Sequence, residues 1–161
     1  MILVADASAL IALATCKSLP LLDSLFGTVL VPEQVFVEVT TDNKPMAATL
    51  EAYLRDKVRR VDLQNYVYLD AFADTGETAA MLLYKQINAD YLLIDDKRGR
   101  KVAAINQIAT VGSMGVLLRA KKAGLIAAVA PLLELLNDSP VFIGRELHAT
   151  VLELAGESAQ S

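Results

Sequence analysis

Acidic residues that could do chemistry directly follow two apolar runs. Asp6 follows the run at residues 2–5, and the pair Asp95-Asp96 follows the run at residues 91–94. Short continuous apolar runs are typical of strands that are buried on both faces of a parallel sheet. Because ligands bind at the carboxyl ends of such strands, we expect these acids to lie at the edge of the sheet that carries the functional site.

Two glutamates could reach the same edge from helices. Glu38 lies in the second turn of the helix predicted after the apolar run at residues 29–31, and Glu77 lies in the first turn of a helix rich in alanine and leucine. Two carboxylates about 4 Å apart repel each other by about 4 kcal/mol at an effective dielectric constant of 20, so a cluster of acids needs protons or a cation. The predicted catalytic acids are Asp6, Glu38, Glu77 and Asp96.

Oxygen ligands of this kind select hard cations, Mg²⁺ or Mn²⁺, whereas zinc favours histidine and cysteine. His148 and Cys16 are single residues of their type, and we interpret both as packing residues. A divalent cation that keeps several waters suits the hydrolysis of phosphodiesters. The predicted metal ligands are Asp6, Glu77, Asp95 and Asp96.

Side chains for a phosphate substrate are also present. The hydroxyl of Ser8 could hold a ligand or a phosphate oxygen, and the basic residues after Asp96 could steer a nucleic-acid backbone. The predicted substrate-binding residues are Ser8, Lys97, Arg98 and Arg100. A second basic run includes Arg119, Lys121 and Lys122.

Each acid also has a purely structural explanation. Asp6 and Asp96 could cap helices, Glu77 could complete a capping box with Asp74, and Glu38 could be a solvated residue on a helix face. For a single acid the structural role is the more common one. Four independent caps have no reason to lie at one edge of one sheet, so the set as a whole favours a metal site.

The composition limits the possible classes of protein. The chain has 161 residues, which is the length of one domain, and we expect residues 1–161 to form it, with the helices from about residue 126 as an interface or extension. A single cysteine leaves no intramolecular disulfide and indicates a cytoplasmic protein. The net charge of −4 and the pI of about 5.0 argue against a surface that binds nucleic acid everywhere.

A membrane segment is suggested by the 54% hydrophobic residues and the mean hydropathy of +0.41. However, Asp6 interrupts one of the most apolar stretches and Pro131 and Glu134 interrupt the other, so neither is long enough to span a bilayer. We therefore expect no membrane association.

The acids must be positioned by alternating strands and helices. Apolar runs predict strands at residues 2–5, 29–31, 91–94 and 108–111, with a weaker candidate at about 59–63. Helical spacing and turn residues predict helices between them and, near the end of the chain, at residues 127–136 and 145–155. This order predicts an α/β fold, a three-layer α/β/α sandwich with a central, mostly parallel, doubly wound sheet.

Five short motifs, taken in order from residue 1 to about residue 125, resemble the PIN-domain ribonuclease family and its VapC-type toxins in particular. The motifs are Asp6-Ala-Ser8, Val31-Pro32-x-x-Val35-x-x-Glu38, Gly76-Glu77-x-x-Ala80, Leu92-Leu-Ile-Asp95-Asp96 and Gly112-x-x-Gly115-Val-Leu-Leu. The resemblance implies a doubly wound fold, a Mg²⁺- or Mn²⁺-dependent endoribonuclease, a homodimer, and the toxin of a type II pair whose antitoxin inserts its tail into the active site.

The resemblance also assigns roles to residues. Asp6, Glu38, Glu77 and Asp96 match the four acids of the family in order, and Ser8 matches the hydroxyl near the first acid. Many of these toxins have an aspartate at the third position, where this chain has Glu77. The fourth acid belongs to an Asp-Asp pair, so either Asp95 or Asp96 could take its role.

Three other kinds of protein could also have acids near the ends of strands. A catalytically silent PIN-like or flavodoxin-like regulatory module would use the acids as caps and the apolar helices to bind a partner. A phospho-receiver domain would have its acidic pair after the first strand, whereas here the pair comes late. A phosphatase with an aspartate nucleophile would need a second aspartate where Ser8 stands.

Overall fold

A parallel sheet forms the centre of the molecule, which is a computed structural model that describes residues 1–61, 75–141 and 143–157. The strands of the described residues are β1 (Ile2–Ala5), β2 (Thr28–Pro32), β3 (Val58–Arg59), β4 (Tyr91–Leu93) and β5 (Thr110–Val111). Their order is β3-β2-β1-β4-β5, and every adjacent pair is parallel. The chain moves outward from β1 on one side and then returns to β4 on the other, so the strand order reverses between β1 and β4.

Helices follow or precede these strands. They are α1 (Ala7–Thr15), α2 (Pro20–Phe26), α3 (Glu33–Thr40), α4 (Ala47–Leu54), α5 (Thr75–Gln86), α6 (Lys97–Ile105), α7 (Ser113–Lys122), α8 (Ala130–Asn137) and α9 (Arg145–Leu154). Within the described residues no single helix is long and apolar enough to cross a membrane, although α1 and α2 together, bent by 115°, reach that length and apolarity.

Both faces of the sheet are buried, which explains the continuous apolar runs of its strands. Leu3 and Val29 pack into one apolar cluster together with α1, α2, α4 and α7. Their neighbours Val4 and Leu30 point to the opposite face, where they pack with α5 and α6. The predicted three-layer α/β/α sandwich with a parallel doubly wound sheet is confirmed.

Several element boundaries differ from the predictions by a residue, and three differ more clearly. The strand predicted at residues 59–63 is observed at Val58–Arg59, and residues 62 and 63 lie outside the described part of the chain. The strand predicted at residues 108–111 comprises only Thr110–Val111. The helix predicted at residues 127–136 begins at Ala130.

The start of α8, which has Pro131 in its first turn, is also held by a residue far along the chain. Both carboxylate oxygens of Glu157 accept hydrogen bonds from the first amides of this helix, from Val129 N at 2.8 Å and from Ala130 N at 3.1 Å. Lys121, at the end of α7, donates to Glu157 Oε2 at 2.8 Å and to the carbonyl of Ala155 at 2.5 Å. The segment after α9 therefore joins the start of α8 to the end of α7.

Candidate active site

Asp6 lies where the strand order reverses. Its amide donates to the carbonyl of Leu93 at 2.8 Å, in register with the pairing of Ala5 and Leu93, so the ends of β1 and β4 are side by side. The side chain is buried, with 4% of the residue exposed. Asp6 stands at the N-cap of α1, but its side chain makes no capping hydrogen bond. The capping explanation therefore does not account for this buried carboxylate.

Glu77 and Asp96 converge on the first turn of α6. Glu77 is also buried, with 6% exposed, and a Cβ atom at Gly99 would lie 3.2 Å from its Cδ and from its Oε1. The Oδ2 atom of Asp96 accepts a hydrogen bond from the amide of Gly99 at 2.8 Å. Two carboxylates from different elements thus both approach Gly99, and the absence of a side chain at this residue leaves room for the Glu77 carboxylate.

The two members of the aspartate pair have different surroundings. Asp95 accepts two hydrogen bonds from Ser113 at the start of α7, at 2.7 Å from its amide and 2.7 Å from its Oγ. Asp96 is exposed and caps α6 through Gly99. Both oxygens of Asp95 are therefore used to hold α7, whereas Asp96 is exposed and holds the amide of Gly99.

Glu38 is half-buried in the second turn of α3, and α3 packs directly against α5, the helix that carries Glu77. Ser8 is exposed in the first turn of α1, two residues after Asp6. The structure therefore places Glu38 and Ser8 on elements next to the buried acids. The predicted partner of Glu77 in a capping box, Asp74, lies outside the described residues.

The basic residues predicted to bind substrate lie on α6. Lys97, Arg98 and Arg100 are exposed on the first turns of this helix, directly after Asp96. Arg100 also approaches the start of α7, because its Nη1 would be 3.6 Å from a Cβ atom at Gly112. The helix therefore presents positive charge next to the acidic end of β4.

The donor set can be compared with what a divalent cation needs. Among residues 1–61, 75–141 and 143–157, no group of three or more His, Cys, Asp or Glu is placed closely enough to hold a metal ion. Mg²⁺, however, is commonly bound by one or two carboxylates together with waters and substrate phosphates. The carboxylates of Glu77 and Asp96, which both approach Gly99, fit such a partly assembled site.

Two residues at the site were not identified from the sequence. In the sequence Ser113 is only a polar residue after Gly112, and Gly99 only a glycine between Arg98 and Arg100. A glycine inside a predicted helix was the available signal for Gly99, because such a glycine costs about 1 kcal/mol relative to alanine and so often has a packing reason. Nothing local to Ser113 indicates a partner 18 residues away.

A family model described as a PIN domain, DUF3368, matches residues 2–157. No curated protein and no solved structure shows significant similarity to the chain.

Proposed function

The chain belongs to the PIN-domain family, and on this premise we propose that it is a Mg²⁺- or Mn²⁺-dependent endoribonuclease that serves as the toxin of a type II toxin–antitoxin pair. Membership of the family supports nuclease activity in general. The observation that carries the finer proposal is the burial of Asp6 and Glu77 at the reversal of strand order, with Glu77 and Asp96 meeting at Gly99.

A divalent cation stabilises carboxylates that are removed from water, because it supplies a counter-charge. In this proposal Glu77 and Asp96 hold the ion together with waters and a substrate phosphate, Asp6 acts through one of those waters, and Asp95 holds the backbone next to Asp96. When bound, Mg²⁺ or Mn²⁺ supplies an activated water and neutralises the charge that develops on the phosphate.

The other residues bind and orient the RNA. Glu38, on the helix packed against α5, would accept a hydrogen bond from the attacking water. Ser8 would donate its hydroxyl to a phosphate oxygen. Lys97, Arg98 and Arg100 would attract the phosphate backbone to an edge that is otherwise acidic.

The proposal includes partners and location. A cognate antitoxin and a second copy of this chain follow from the likeness to VapC-type toxins, in a cytoplasmic setting. The proposed substrate is RNA, and no membrane is involved.

Cleavage of RNA by the pure protein tests this function. Labelled RNA is incubated with Mg²⁺, with Mn²⁺ or with a chelator, using the wild type, Asp6→Asn, Asp96→Asn and the exposed control Asp42→Asn. We expect cleavage only with metal, a loss of about 100-fold or more in Asp6→Asn and Asp96→Asn, and no change in Asp42→Asn. Undiminished cleavage by Asp6→Asn, or in the chelator, would overturn the proposal, and no cleavage under any condition would favour the silent regulatory module.

A further inference from the structure

Two basic runs that are distant in the sequence meet at one groove. A cleft of about 400 Å³ is lined by Arg100 of α6, by Ser113 and Arg119 of α7 and by Leu147 of α9. A second cleft of about 440 Å³ lies between α7 and the end of α9 and is lined by Arg119 and by residues that include Lys122 and Leu154. Arg119 lines both clefts, and we call the two clefts together the α7–α9 groove.

Arg100 and Arg119 are available to a ligand, whereas Lys121, which also lines the groove, is paired with Glu157. Within the three described ranges, neither Arg100 nor Arg119 forms an ion pair. The one carboxylate that lines the first cleft, Asp95, already accepts two hydrogen bonds from Ser113. In a chain with a net charge of −4, this groove is thus a local concentration of positive charge that attracts a polyanion.

Arg119 is held in place by aromatic rings. Its guanidinium carbon lies 4.8 Å from the ring centroid of Tyr91 and 5.9 Å from that of Phe26. Stacking of this kind orients the plane of a guanidinium while its N–H groups stay free to donate. The side chain of Arg119 is therefore already ordered, and it loses little conformational entropy when it binds a phosphate.

Apolar surface accompanies the charge. Leu147 is 46% exposed and Leu154 is 69% exposed, and both lie on the side of α9 that borders the groove. Bases of a single strand are unstacked and need apolar or planar surfaces, whereas the bases of a duplex are already covered by their neighbours. The groove therefore offers cations to the phosphates of a single strand and leucines to its bases.

The groove lies next to the candidate active site. Two residues that line its first cleft, Asp95 and Arg100, are the chain neighbours of Asp96 and Gly99. A strand whose phosphate reached those acids would have the groove beside it. An acidic protein segment would also be attracted by the cations, but it would gain nothing from this proximity.

We propose that the α7–α9 groove binds the stretch of single-stranded RNA adjacent to the phosphodiester that is cleaved, with Arg100 and Arg119 contacting phosphates and Leu147 and Leu154 contacting bases. This inference rests on the proposed function for the position of the cleaved bond. Binding of the strand itself needs no catalysis, so the two claims can be tested separately.

The test measures affinity in a chelator, so that cleavage does not interfere. Fluorescence anisotropy of a labelled single-stranded RNA of about 12 nucleotides is recorded at several salt concentrations. The proteins are the wild type, Arg100→Ala, Arg119→Ala, Arg119→Lys and the control Arg55→Ala, at an exposed residue directly after α4. A thermal melt of each variant shows that it is folded.

We expect each alanine variant in the groove to reduce the slope of log K against log salt by about 0.7, the value for one phosphate contact to a single strand, and to bind several-fold more weakly. Arg119→Lys keeps the charge and should keep the slope, and Arg55→Ala should match the wild type. Unchanged slopes in both Arg100→Ala and Arg119→Ala would overturn the proposal.

A competitor separates RNA from an acidic protein. If polyglutamate binds the wild type but not Arg119→Ala, while RNA binds both equally, the groove serves an acidic partner and the RNA proposal fails. If RNA binding depends on Arg100 and Arg119 but no cleavage occurs with Mn²⁺, the groove is supported and the proposed nuclease activity is what fails.

Discussion

The carboxylate of Asp95 accepts hydrogen bonds from both the amide and the hydroxyl of Ser113, at 2.7 Å each. This pair joins the end of β4 to the start of α7. Gly112 lies close to the same carboxylate, because a Cβ atom at position 112 would be only 2.9 Å from Asp95 Oδ1. Asp95 is therefore a positioning residue in this account, and the exposed Asp96 is the member of the pair that faces the candidate site.

Removal of either member of the Asp95–Ser113 pair should destabilise the protein. We expect Asp95→Ala to lower the free energy of unfolding by about 2 to 3 kcal/mol, because it removes two hydrogen bonds to a charged group, and Ser113→Ala to lower it by about 1 kcal/mol. The double variant should lose less free energy of unfolding than the sum of the two single losses. Urea denaturation measures all three, and strictly additive costs would show that the two residues are not coupled.

A side chain at position 99 should disturb the candidate site. In Gly99→Ala the new Cβ would lie 2.5 Å from Ile94 Cδ1 and 3.2 Å from the Glu77 carboxylate, so both must move. We expect metal-dependent cleavage to fall by about 10- to 100-fold because a ligand is misplaced. Stability should change by only about 1 kcal/mol, since the overpacking is partly offset by the better helix propensity of alanine.

The matched control for this prediction is Gly144→Ala, because a Cβ atom there would meet nothing within 4 Å. Its cleavage rate should equal that of the wild type. If Gly99→Ala cleaves as fast as Gly144→Ala, the convergence of Glu77 and Asp96 at Gly99 has no role in the reaction.

The contribution of Glu157 should depend on pH. Burial raises the pKa of Glu157, but the hydrogen bonds from Lys121 and from the amides of Val129 and Ala130 outweigh burial and leave the pKa below its usual value. A carboxyl with a lowered pKa stabilises the folded state above its usual pKa of about 4.3, and this stabilisation is lost as the pH falls through the folded pKa.

We therefore expect Glu157→Gln to cost about 1 kcal/mol at pH 7, as the loss of a helix cap does, and almost nothing at a pH below the lowered pKa. The exposed Glu153→Gln serves as the control. Urea unfolding at a series of pH values gives the difference, and an equal cost at every pH would contradict a role for the charge.

Cys16 should react slowly with thiol reagents in the folded protein. Its side chain is fully buried, and burial raises the pKa of the thiol, which lowers the fraction of reactive thiolate. Titration with a chromogenic disulfide should modify one thiol rapidly in urea and very slowly without it. Rapid modification of the native protein would show that the environment of Cys16 opens readily.

Much of the fold could be predicted because the sheet is buried on both faces. The apolar run at residues 2–5 coincides with β1, and Asp6 and Asp96 follow their strands as expected. Burial on both faces leaves an uninterrupted apolar pattern, and its end marks the functional edge. The predicted identity of the acids as catalytic residues and metal ligands remains a prediction.

Other features depend on contacts that no local pattern reveals. The cap at the start of α8 comes from Glu157, 27 residues after Ala130. The role of Asp95 depends on Ser113, and the groove requires α6, α7 and α9 to pack around Arg119. Local sequence predicts helix and strand type, whereas these contacts form only once the layers have assembled.

The central claim is that buried acids meet at this edge to hold a divalent cation, and thermal unfolding with and without Mn²⁺ tests it most directly. At a 100-fold excess over its Kd, the ion should stabilise the wild type by about 2.7 kcal/mol, or roughly 5 to 10 °C. Asp6→Asn should melt higher than the wild type without metal, because repulsion is relieved, and should gain little from Mn²⁺. A variant that melts lower without metal and still gains the full Mn²⁺ shift would contradict the claim.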